Sequence, residues 1–385
     1  MMTRLNTVDS SESLGEPAVN RSVLVLNSGS SSIKFALFGL EPEPTALCRG
    51  ILSEPDRATA IDQLTQRVSD HVDRYPLAGI GHRVVHGGPA LRDPQIVTDG
   101  LLETLGQLVR FAPNHLPDEI HLIKAVRRLR PDTPQFVCFD TAFHADLPEV
   151  ARSLAVPRRY AEEGVRRYGF HGLSYSFLME ELRRRAGSSQ TDARVLLAHL
   201  GNGSSLAAVR GGRSIDTSMG FTPIGGVVMS TRSGDLDPGV VTYIARSTGF
   251  DADRVEYELS HHAGLVGLSD GTADMRDLLA REASDESCRL AVSIYCYEIK
   301  KRIGTYAAAL GGLDVLVFSG GIGEHAPSVR ARICSGLEFL GVDIDAENNT
   351  ANAPVISKSP ARVAVHVIPT DEEVVIAKAA YRLLH

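Results

Sequence analysis

Short apolar runs alternate with polar, glycine-rich turns along this chain. Residues 23–26 are apolar, residues 27–32 are small and polar, and residues 33–38 carry apolar side chains with a period near two. This pattern predicts two strands joined by a tight turn. A P-loop would open a helix directly after its glycines, so Lys34 on a returning strand disfavours a Walker-type nucleotide site.

A second hairpin of the same kind is predicted about half a chain later. Residues 195–200, which are apolar except for His199, and the apolar residues 206–209 flank residues 201–205, which are glycine, asparagine and serine. Glycine and asparagine accept the backbone angles of tight turns, so each turn taken alone needs no functional explanation. Two such hairpins in one chain indicate a duplication that produced two similar domains.

Helical periodicity separates the predicted strands. Residues 119–130, 174–185 and 287–310 are apolar at helical spacing, and a last helix is predicted to start in the capping segment 370–373. Strands that alternate with helices indicate an α/β protein.

A third apolar run, residues 315–318, leads into the glycine-rich segment 319–325. We expect this segment to be a turn that precedes a helix starting near Pro327, because proline suits a first helical turn. Bare glycines before a helix allow backbone N–H groups to approach the phosphates of a nucleotide.

The length of 385 residues exceeds what one hydrophobic core usually supports and predicts two domains. We place the first domain at residues 22–155 together with a C-terminal helix, residues 370–385. The second, nucleotide-binding domain would then span residues 156–369. Residues 1–21 are polar and poor in aliphatic side chains, and we expect a disordered extension there.

The overall charge excludes some classes of partner. The chain has 47 acidic and 40 basic residues and a net charge of -7, with no long basic run, so nucleic acid is not expected as a partner. No apolar run reaches the roughly 18 residues of a membrane span, and there is no signal pattern. The five cysteines are scattered and lack metal-ligand spacing. These features predict a cytoplasmic protein without a membrane partner.

Several polar segments carry side chains suited to phosphate chemistry. Asn27, Ser30, Ser32 and Lys34 combine an amide, hydroxyls and an ammonium group on one turn, which together would make a phosphate clamp. Arg83 ends a short strand between histidines and glycines, where its planar guanidinium would suit a carboxylate or a phosphate. Taken alone, that position is better explained by a surface arginine at a strand end.

Three further residues have both a structural and a chemical interpretation. Asp140 follows a predicted strand, where ligands gather in open α/β sheets, and is a candidate magnesium ligand. His171 precedes a predicted helix, and on its own the sequence favours a buried structural histidine there. Arg232 lies in a long loop of Gly, Ser, Asp and Pro, where it is either solvated or placed to meet an anion.

These segments, in this order and spacing, resemble the acetate kinase family from Val23 to the C-terminus. The stretches that carry the resemblance are residues 27–34, the region around Arg83, and residues 139–144, 168–172, 199–205, 216–223 and 320–324. The resemblance implies an α/β fold of two ribonuclease-H-like, actin-like ATPase domains around a central cleft, and a homodimer. It also implies a transfer of the γ-phosphoryl group of ATP to acetate that gives acetyl phosphate and ADP, with Mg²⁺ or alternatively Mn²⁺ as the cofactor.

The resemblance also implies residue roles. The catalytic group would be Arg83, Asp140, His171 and Arg232. Residues that look like the ATP-binding set are Asn27, Ser30, Ser32, Lys34, His199, Asn202, Gly203, Asp274, Arg276, Gly321, Ile322 and Gly323. Residues that look like the acceptor site are Arg83, Val85, His115, Phe170 and Pro223, and the metal would be held by Asn27 and Glu372.

The chain departs from the family pattern at a few positions. Asn114 stands where the family often has an apolar residue of the acceptor pocket, so the choice among acetate, propionate and butyrate stays open. Pro89 and His325 also depart from the family pattern, and neither change removes a proposed catalytic group.

Two further hypotheses keep the fold but change the function. A non-enzymatic ATP clamp has no evident use for two arginines and an apolar pocket. A sugar kinase is expected to use an aspartate base against a hydroxyl group.

Overall fold

The structure, a computed structural model, describes residues 20–28, 33–52, 57–186 and 193–385. Its named strands form two mixed sheets. The first sheet has the order β3-β2-β1-β4-β6-β5 and consists of Ser22–Ser28 (β1), Ile33–Gly39 (β2), Ala46–Leu52 (β3), Leu77–Val84 (β4), Gln95–Ile96 (β5) and Gln135–Phe139 (β6). The second has the order β11-β10-β7-β8-β9 and consists of Arg194–Leu200 (β7), Ser204–Arg210 (β8), Arg213–Thr217 (β9), Val315–Ser319 (β10) and Ala364–Val367 (β11).

The two sheets repeat one topology. In the first, β1 and β2 form an antiparallel hairpin, β3 extends it, and β4 and β6 continue on the other side as parallel strands. In the second, β7, β8 and β9 form the antiparallel part, and β10 and β11 are the parallel strands. Both predicted strand pairs are therefore confirmed, and each lies in its own sheet, while the turn of the first pair lies outside the described residues.

The central strands read as continuous apolar runs because both of their faces are buried. Leu24 and Leu26 of β1 pack on one face of the first sheet, whereas Val23 and Val25 pack on the other. Strand β7 divides its apolar side chains between two clusters in the same way. Each sheet is thus the middle layer between helices, as expected for an α/β protein.

The helices cover these faces. Their bounds are Arg57–Arg74 (α1), Asp99–Leu108 (α2), Leu116–Leu129 (α3), Glu149–Arg152 (α4), Arg158–Glu162 (α5), Gly172–Ala186 (α6), Pro238–Thr248 (α7), Ala252–His261 (α8), Gly264–Ser269 (α9), Met275–Arg281 (α10), Glu286–Leu310 (α11), Gly320–His325 (α12), Pro327–Cys334 (α13), Ala346–Thr350 (α14) and Glu372–Leu384 (α15). Short 3₁₀ turns lie at Val109–Phe111, Ala142–His144 and Glu338–Leu340. Across the described ranges, no helix combines the length and apolar character needed to cross a membrane.

The C-terminal helix α15 returns to the first sheet. Its residues Ile376 and Ala380 are fully buried in the cluster that contains Val23 and Val25 of β1. Asp371 caps this helix, since its carboxylate accepts a hydrogen bond of 3.0 Å from the backbone N–H of Val374. The first turn of α15 is thereby held beside the end of β1.

The glycine-rich segment after β10 differs from the prediction. The segment 319–325 was expected to be a turn, but Gly320–His325 forms the short helix α12, and the predicted helix at Pro327 follows it as α13. Gly320 has a φ of +77°, and a Cβ atom there would lie 2.6 Å from the carbonyl oxygen of Leu200. The helix starts this close to β7 because the residue has no side chain. The Glu324 carboxylate accepts a 2.8 Å hydrogen bond from the Gly320 N–H.

Candidate active site

The carboxyl ends of three parallel strands bring the first group of polar side chains together. Asn27 lies near the end of β1, Arg83 near the end of β4, and Asp140 directly after β6. The side chain of Asp140 is fully buried and that of Arg83 is 16% exposed. Because parallel strands end at one edge of a sheet, three residues far apart in sequence become neighbours here.

Arg83 is the centre of this group. Its Nε donates to Asp140 Oδ1 at 3.0 Å, and its Nη2 pairs with Oδ2 of the same carboxylate, so the contact is bidentate. Its Nη1 donates to Asn27 Oδ1 at 3.3 Å, and Glu372 Oε2 lies 3.7 Å from Nε. A guanidinium has five N–H donors, so these three bonds orient Arg83 and leave two donors for a ligand.

Acidic side chains surround the same arginine. Asn27 Nδ2 donates to Glu372 Oε2 at 3.1 Å and to Glu373 Oε1 at 3.2 Å, which ties the start of α15 to β1. Burial raises the pKa of Asp140, and the Arg83 cation opposes that rise. Two carboxylates and an amide oxygen therefore face one cation at the strand ends.

Two histidines lie at the second hairpin: His199 belongs to β7, and His171 directly precedes α6. His171 Nδ1 is 2.8 Å from Ser205 Oγ, and its ring centroid lies 4.3 Å from that of His199. The Nδ1 atom of His199 is in turn 2.8 Å from Ser174 Oγ. Burial lowers the pKa of His199 to about 4, and burial together with His199 and Arg83 also lowers the pKa of His171. Both imidazoles are therefore neutral at pH 7 and act through hydrogen bonds.

A close backbone contact places His171 beside Asp140. The N–H of Gly172 donates to the carbonyl oxygen of Asp140 at 2.8 Å. A Cβ atom at Gly172 would lie 2.2 Å from that oxygen, so a larger residue would push α6 away from β6. Helix α6 links the two sheets, since Leu173 packs with the first and Tyr175 with the second. His171 is thus fixed between the end of β6 and the second hairpin.

Arg232 approaches the same place from the long loop after β9. Its Nη1 donates to the Pro223 carbonyl oxygen at 3.2 Å. Within the described part of the chain, no carboxylate lies within ion-pair distance of this guanidinium. Burial and the positive charge of Arg83 lower the pKa of Arg232 to about 10. A partly buried cation without a counter-ion is ready to bind an anion.

The turn between β7 and β8 lies next to both of these groups. A Cβ atom at Gly203 would be 3.0 Å from His171 Nε2 and 3.4 Å from Arg232 Nη1. Asn202 is held from the other side, since its carbonyl oxygen accepts a 3.2 Å hydrogen bond from the Ser230 N–H. The structure therefore brings His171, Gly203 and Arg232 together, as their proposed common role requires.

The residues expected on the adenosine side lie further along the same surface. Ser230 Oγ is 3.3 Å from the carbonyl oxygen of Ala273, and this contact connects Asn202 to the start of α10. Asp274 caps α10 and binds the guanidinium of Arg276 at 2.7 Å, and the Arg276 side chain is 89% exposed. Gly321, Ile322 and Gly323 lie in helix α12, whose Gly321 N would be 3.9 Å from a Cβ atom at Gly201.

A cavity of about 50 Å³ opens beside Arg232. His115 and Pro223 line it together with Arg232. Val85 and Phe170 are 3% and 1% exposed and belong to the apolar cluster that also contains the cavity residues Phe111 and Ala112. Burial and the nearby cations Arg232 and Arg83 lower the pKa of His115 to about 3, so this histidine is neutral. Of the expected acceptor residues, His115 and Pro223 therefore line the cavity, and Val85 and Phe170 lie in the apolar cluster that adjoins it.

Three further residues near the first hairpin were expected to bind phosphate. Ser30 and Ser32 lie outside the described residues. Lys34 lies opposite Asn27 in the hairpin, and its side chain is exposed.

Sequence reasoning also missed residues that shape the site. Glu373, like Glu372, accepts a hydrogen bond from Asn27 Nδ2. Its position next to Glu372 in the acidic run could have indicated this role. Ser205 and Ser174 hold the two histidines, and the serine content of these segments gave no indication of that pairing.

Comparisons with known proteins all indicate the same family. Residues 49–378 match the model of the acetokinase family. The chain is 42% identical to an acetate kinase of Rhodopseudomonas palustris, covering 94% of this chain and 98% of the relative. It is 40% identical to an acetate kinase of Coprothermobacter proteolyticus, with the same coverage of both chains.

Two solved structures share the fold closely. The crystal structure of Porphyromonas gingivalis acetate kinase superposes with a TM-score of 0.85 at 33% identity, covering 95% of this chain and 100% of that one. A propionate kinase from Francisella tularensis superposes with a TM-score of 0.86, also at 33% identity, covering 93% and 98% of the two chains.

Proposed function

Because this chain belongs to the acetokinase family, we propose that it transfers the γ-phosphoryl group of ATP reversibly to the carboxylate of acetate, giving acetyl phosphate and ADP. The observation that carries this proposal is the environment of the Arg232 guanidinium. This group is a cation without a carboxylate partner in the described part of the chain, and it lies between a phosphate-type hairpin and a small cavity. Such a group can hold an anionic acceptor against an anionic donor, which would otherwise repel each other.

The reaction requires alignment of the phosphoryl donor and acceptor more than it requires proton transfer. An acetate oxygen attacks the γ-phosphorus, the bond to the β–γ bridging oxygen breaks, and ADP leaves with the electron pair. Acetate is already ionised at pH 7, so no general base is needed. This agrees with an Asp140 carboxylate that is fully buried and bound bidentately by Arg83.

The three side chains around the reacting phosphoryl group would stabilise its charge. Arg83 offers two free donors from the first domain, and Arg232 offers its guanidinium from the loop of the second. His171 is neutral and faces the Gly203 turn with its Nε2 atom. Donors fixed before the reaction cost no reorganisation when charge shifts onto the equatorial oxygens.

The acids at the strand ends suit a hard divalent cation. Asp140 and Glu372 with the amide oxygen of Asn27 form an all-oxygen donor set, which Mg²⁺ and Mn²⁺ prefer. Among the residues that the structure describes, no three acidic, histidine or cysteine side chains form a complete metal cage. We therefore propose that these residues hold the metal jointly with nucleotide phosphates and water. When bound, the metal neutralises charge on the β- and γ-phosphate oxygens.

The nucleotide would lie along the second sheet. Asn202 and Gly203 would contact its phosphates, with Lys34 and Asn27 opposite them. The first turn of α12, which includes Gly321, would border the adenosine, and Asp274 at the cap of α10 would lie nearby. The contact that links Asn202 through Ser230 to Ala273 supports one continuous binding surface.

We propose two domains, residues 22–155 with 370–385 and residues 156–369. The separate sheets and the return of α15 to the first sheet support this division.

We also propose a homodimer that covers helix α7. This helix contains no buried residue, and its Val240 and Tyr243 are 42% and 70% exposed. The five free cysteines support a cytoplasmic location.

We expect the purified protein to form an acyl phosphate from acetate and ATP only when Mg²⁺ or Mn²⁺ is present. Hydroxylamine converts an acyl phosphate into a coloured hydroxamate, which measures the product directly. Removal of the metal with EDTA should abolish the signal, and added Mg²⁺ should restore it. Phosphorylation of a sugar without turnover of any short carboxylate would overturn the proposal.

The size of the acceptor pocket decides between acetate and its longer homologues, and relatives of both kinds share the fold. Val85→Ala removes two methyl groups from the wall behind the cavity. We expect it to raise the specificity constant for propionate relative to that for acetate. The corresponding change in the difference of activation free energies is up to about 1 kcal/mol. The measurement is kcat/KM for both acids in both proteins. An unchanged ratio would mean that Val85 does not border the acyl chain.

A further inference from the structure

Part of the wall of the cavity beside Arg232 is polar. Asn114, just after the 3₁₀ turn Val109–Phe111, lines the cavity together with Glu256 of α8. The Nδ2 atom of Asn114 donates to Glu256 Oε1 at 3.1 Å, a contact between residues 142 positions apart. This bond leaves Asn114 Oδ1 and Glu256 Oε2 as acceptors at the cavity wall.

A third polar group in this wall lacks a partner. Ser260, on the same helix as Glu256, is 7% exposed and lines the cavity. Its Oγ atom has no hydrogen-bond partner among the residues that the structure describes. A buried hydroxyl group without a partner costs free energy, so such a group in a cavity wall points to a ligand atom that completes it.

The charges along the cavity are asymmetric. The Arg232 guanidinium and the Glu256 carboxyl group both belong to residues that line it. An acceptor would turn its carboxylate toward Arg232, and its other end would face the polar wall. A purely apolar chain would leave Ser260 Oγ without a partner. A second carboxylate would be repelled by Glu256.

We propose that this cavity selects short carboxylates that carry a hydroxyl group on the acyl chain, with Asn114, Glu256 and Ser260 as the specificity-determining residues. A hydroxyl group donates one hydrogen bond and accepts others, so it can donate to the Asn114 or Glu256 oxygen and accept from Ser260 Oγ. The inference rests on the proposed carboxylate kinase activity. The phosphoryl group still goes to the carboxylate, and the hydroxyl group serves recognition alone.

The test uses 3-hydroxypropionate and butyrate, which have the same number of non-hydrogen atoms and differ in one hydroxyl against one methyl group. The hydroxamate assay reports kcat/KM for each acid, since only a carboxyl phosphate reacts with hydroxylamine. We expect the wild-type protein to prefer 3-hydroxypropionate by at least about tenfold, because a site that hydrogen-bonds a hydroxyl group rejects the analogue without it. Asn114→Leu and Ser260→Ala should each lower that preference about tenfold.

Asn348→Leu is the matched control, because Asn348 is exposed on α14 and does not line the cavity. It should keep the wild-type preference. A wild-type protein that uses butyrate at least as well as 3-hydroxypropionate would overturn the inference, as would an unchanged preference in both cavity variants. In each of these results, turnover of acetate leaves the proposed function standing. No turnover of any carboxylate would instead refute the proposed function.

Discussion

Arg232→Ala is expected to lower kcat by about a hundredfold or more while the fold survives. The wild-type guanidinium has no carboxylate partner in the described structure, so its removal leaves no unpaired acid behind. Its Nη1 atom bonds to the Pro223 carbonyl oxygen, beside the turn at Gly203. The loss should therefore fall on the reaction and not on stability, which steady-state kinetics and thermal unfolding can separate.

Two further variants sharpen this test. Arg232→Lys restores a positive charge but not the planar fork, so we expect it to recover only part of the activity. Added guanidine should partly restore turnover in Arg232→Ala and not in Arg232→Lys. Arg213→Ala is a matched control, because Arg213 is an exposed arginine of β9. Near-wild-type kcat in Arg232→Ala would remove this residue from the mechanism.

Arg83→Ala should lose both activity and stability. We again expect kcat to fall by about a hundredfold or more, since Arg83 supplies donors at the reacting centre. In addition, the variant leaves the fully buried Asp140 carboxylate without its bidentate partner. Breaking a buried ion pair in this way destabilises a protein by about 3–5 kcal/mol. Chemical denaturation at pH 8 measures this change in the free energy of unfolding.

The pH dependence of that destabilisation has a defined sign. Burial already raises the pKa of Asp140 in the folded protein, and removal of the opposing Arg83 cation should raise it further. A group whose pKa is higher in the folded state contributes stability at low pH, and this contribution is lost as pH rises through the folded-state pKa. The difference in unfolding free energy between wild type and Arg83→Ala should therefore be smaller at pH 5 than at pH 8.

A double variant separates the two effects of Arg83. In Arg83→Met with Asp140→Asn, the buried acid and its partner are both neutral, so much of the lost stability should return. Activity should remain low, because no guanidinium faces the phosphoryl group. Equal stability of Arg83→Ala and wild type at pH 8 would contradict the ion-pair argument.

The sequence by itself determined the α/β class and the two hairpins. Strands such as β1 and β7 are buried on both faces, so their apolar runs are continuous and easily recognised. The long helices were equally visible because their buried positions recur at helical spacing. Helix α12 was missed, since glycine has a low helix propensity and local sequence gave no sign of the Glu324 contact that holds its first turn.

The residue types of the site were also readable, and the family resemblance supplied their proposed roles. Their partners were decided only by the tertiary structure. Asn27 and Glu372 are 345 positions apart and become hydrogen-bonded because α15 returns to the end of β1. The same packing pairs Arg83 with Asp140 and leaves Arg232 without a carboxylate in the described residues. Whether a charge is paired, buried or free depends on which helices and strands pack together, and local sequence patterns do not determine that packing.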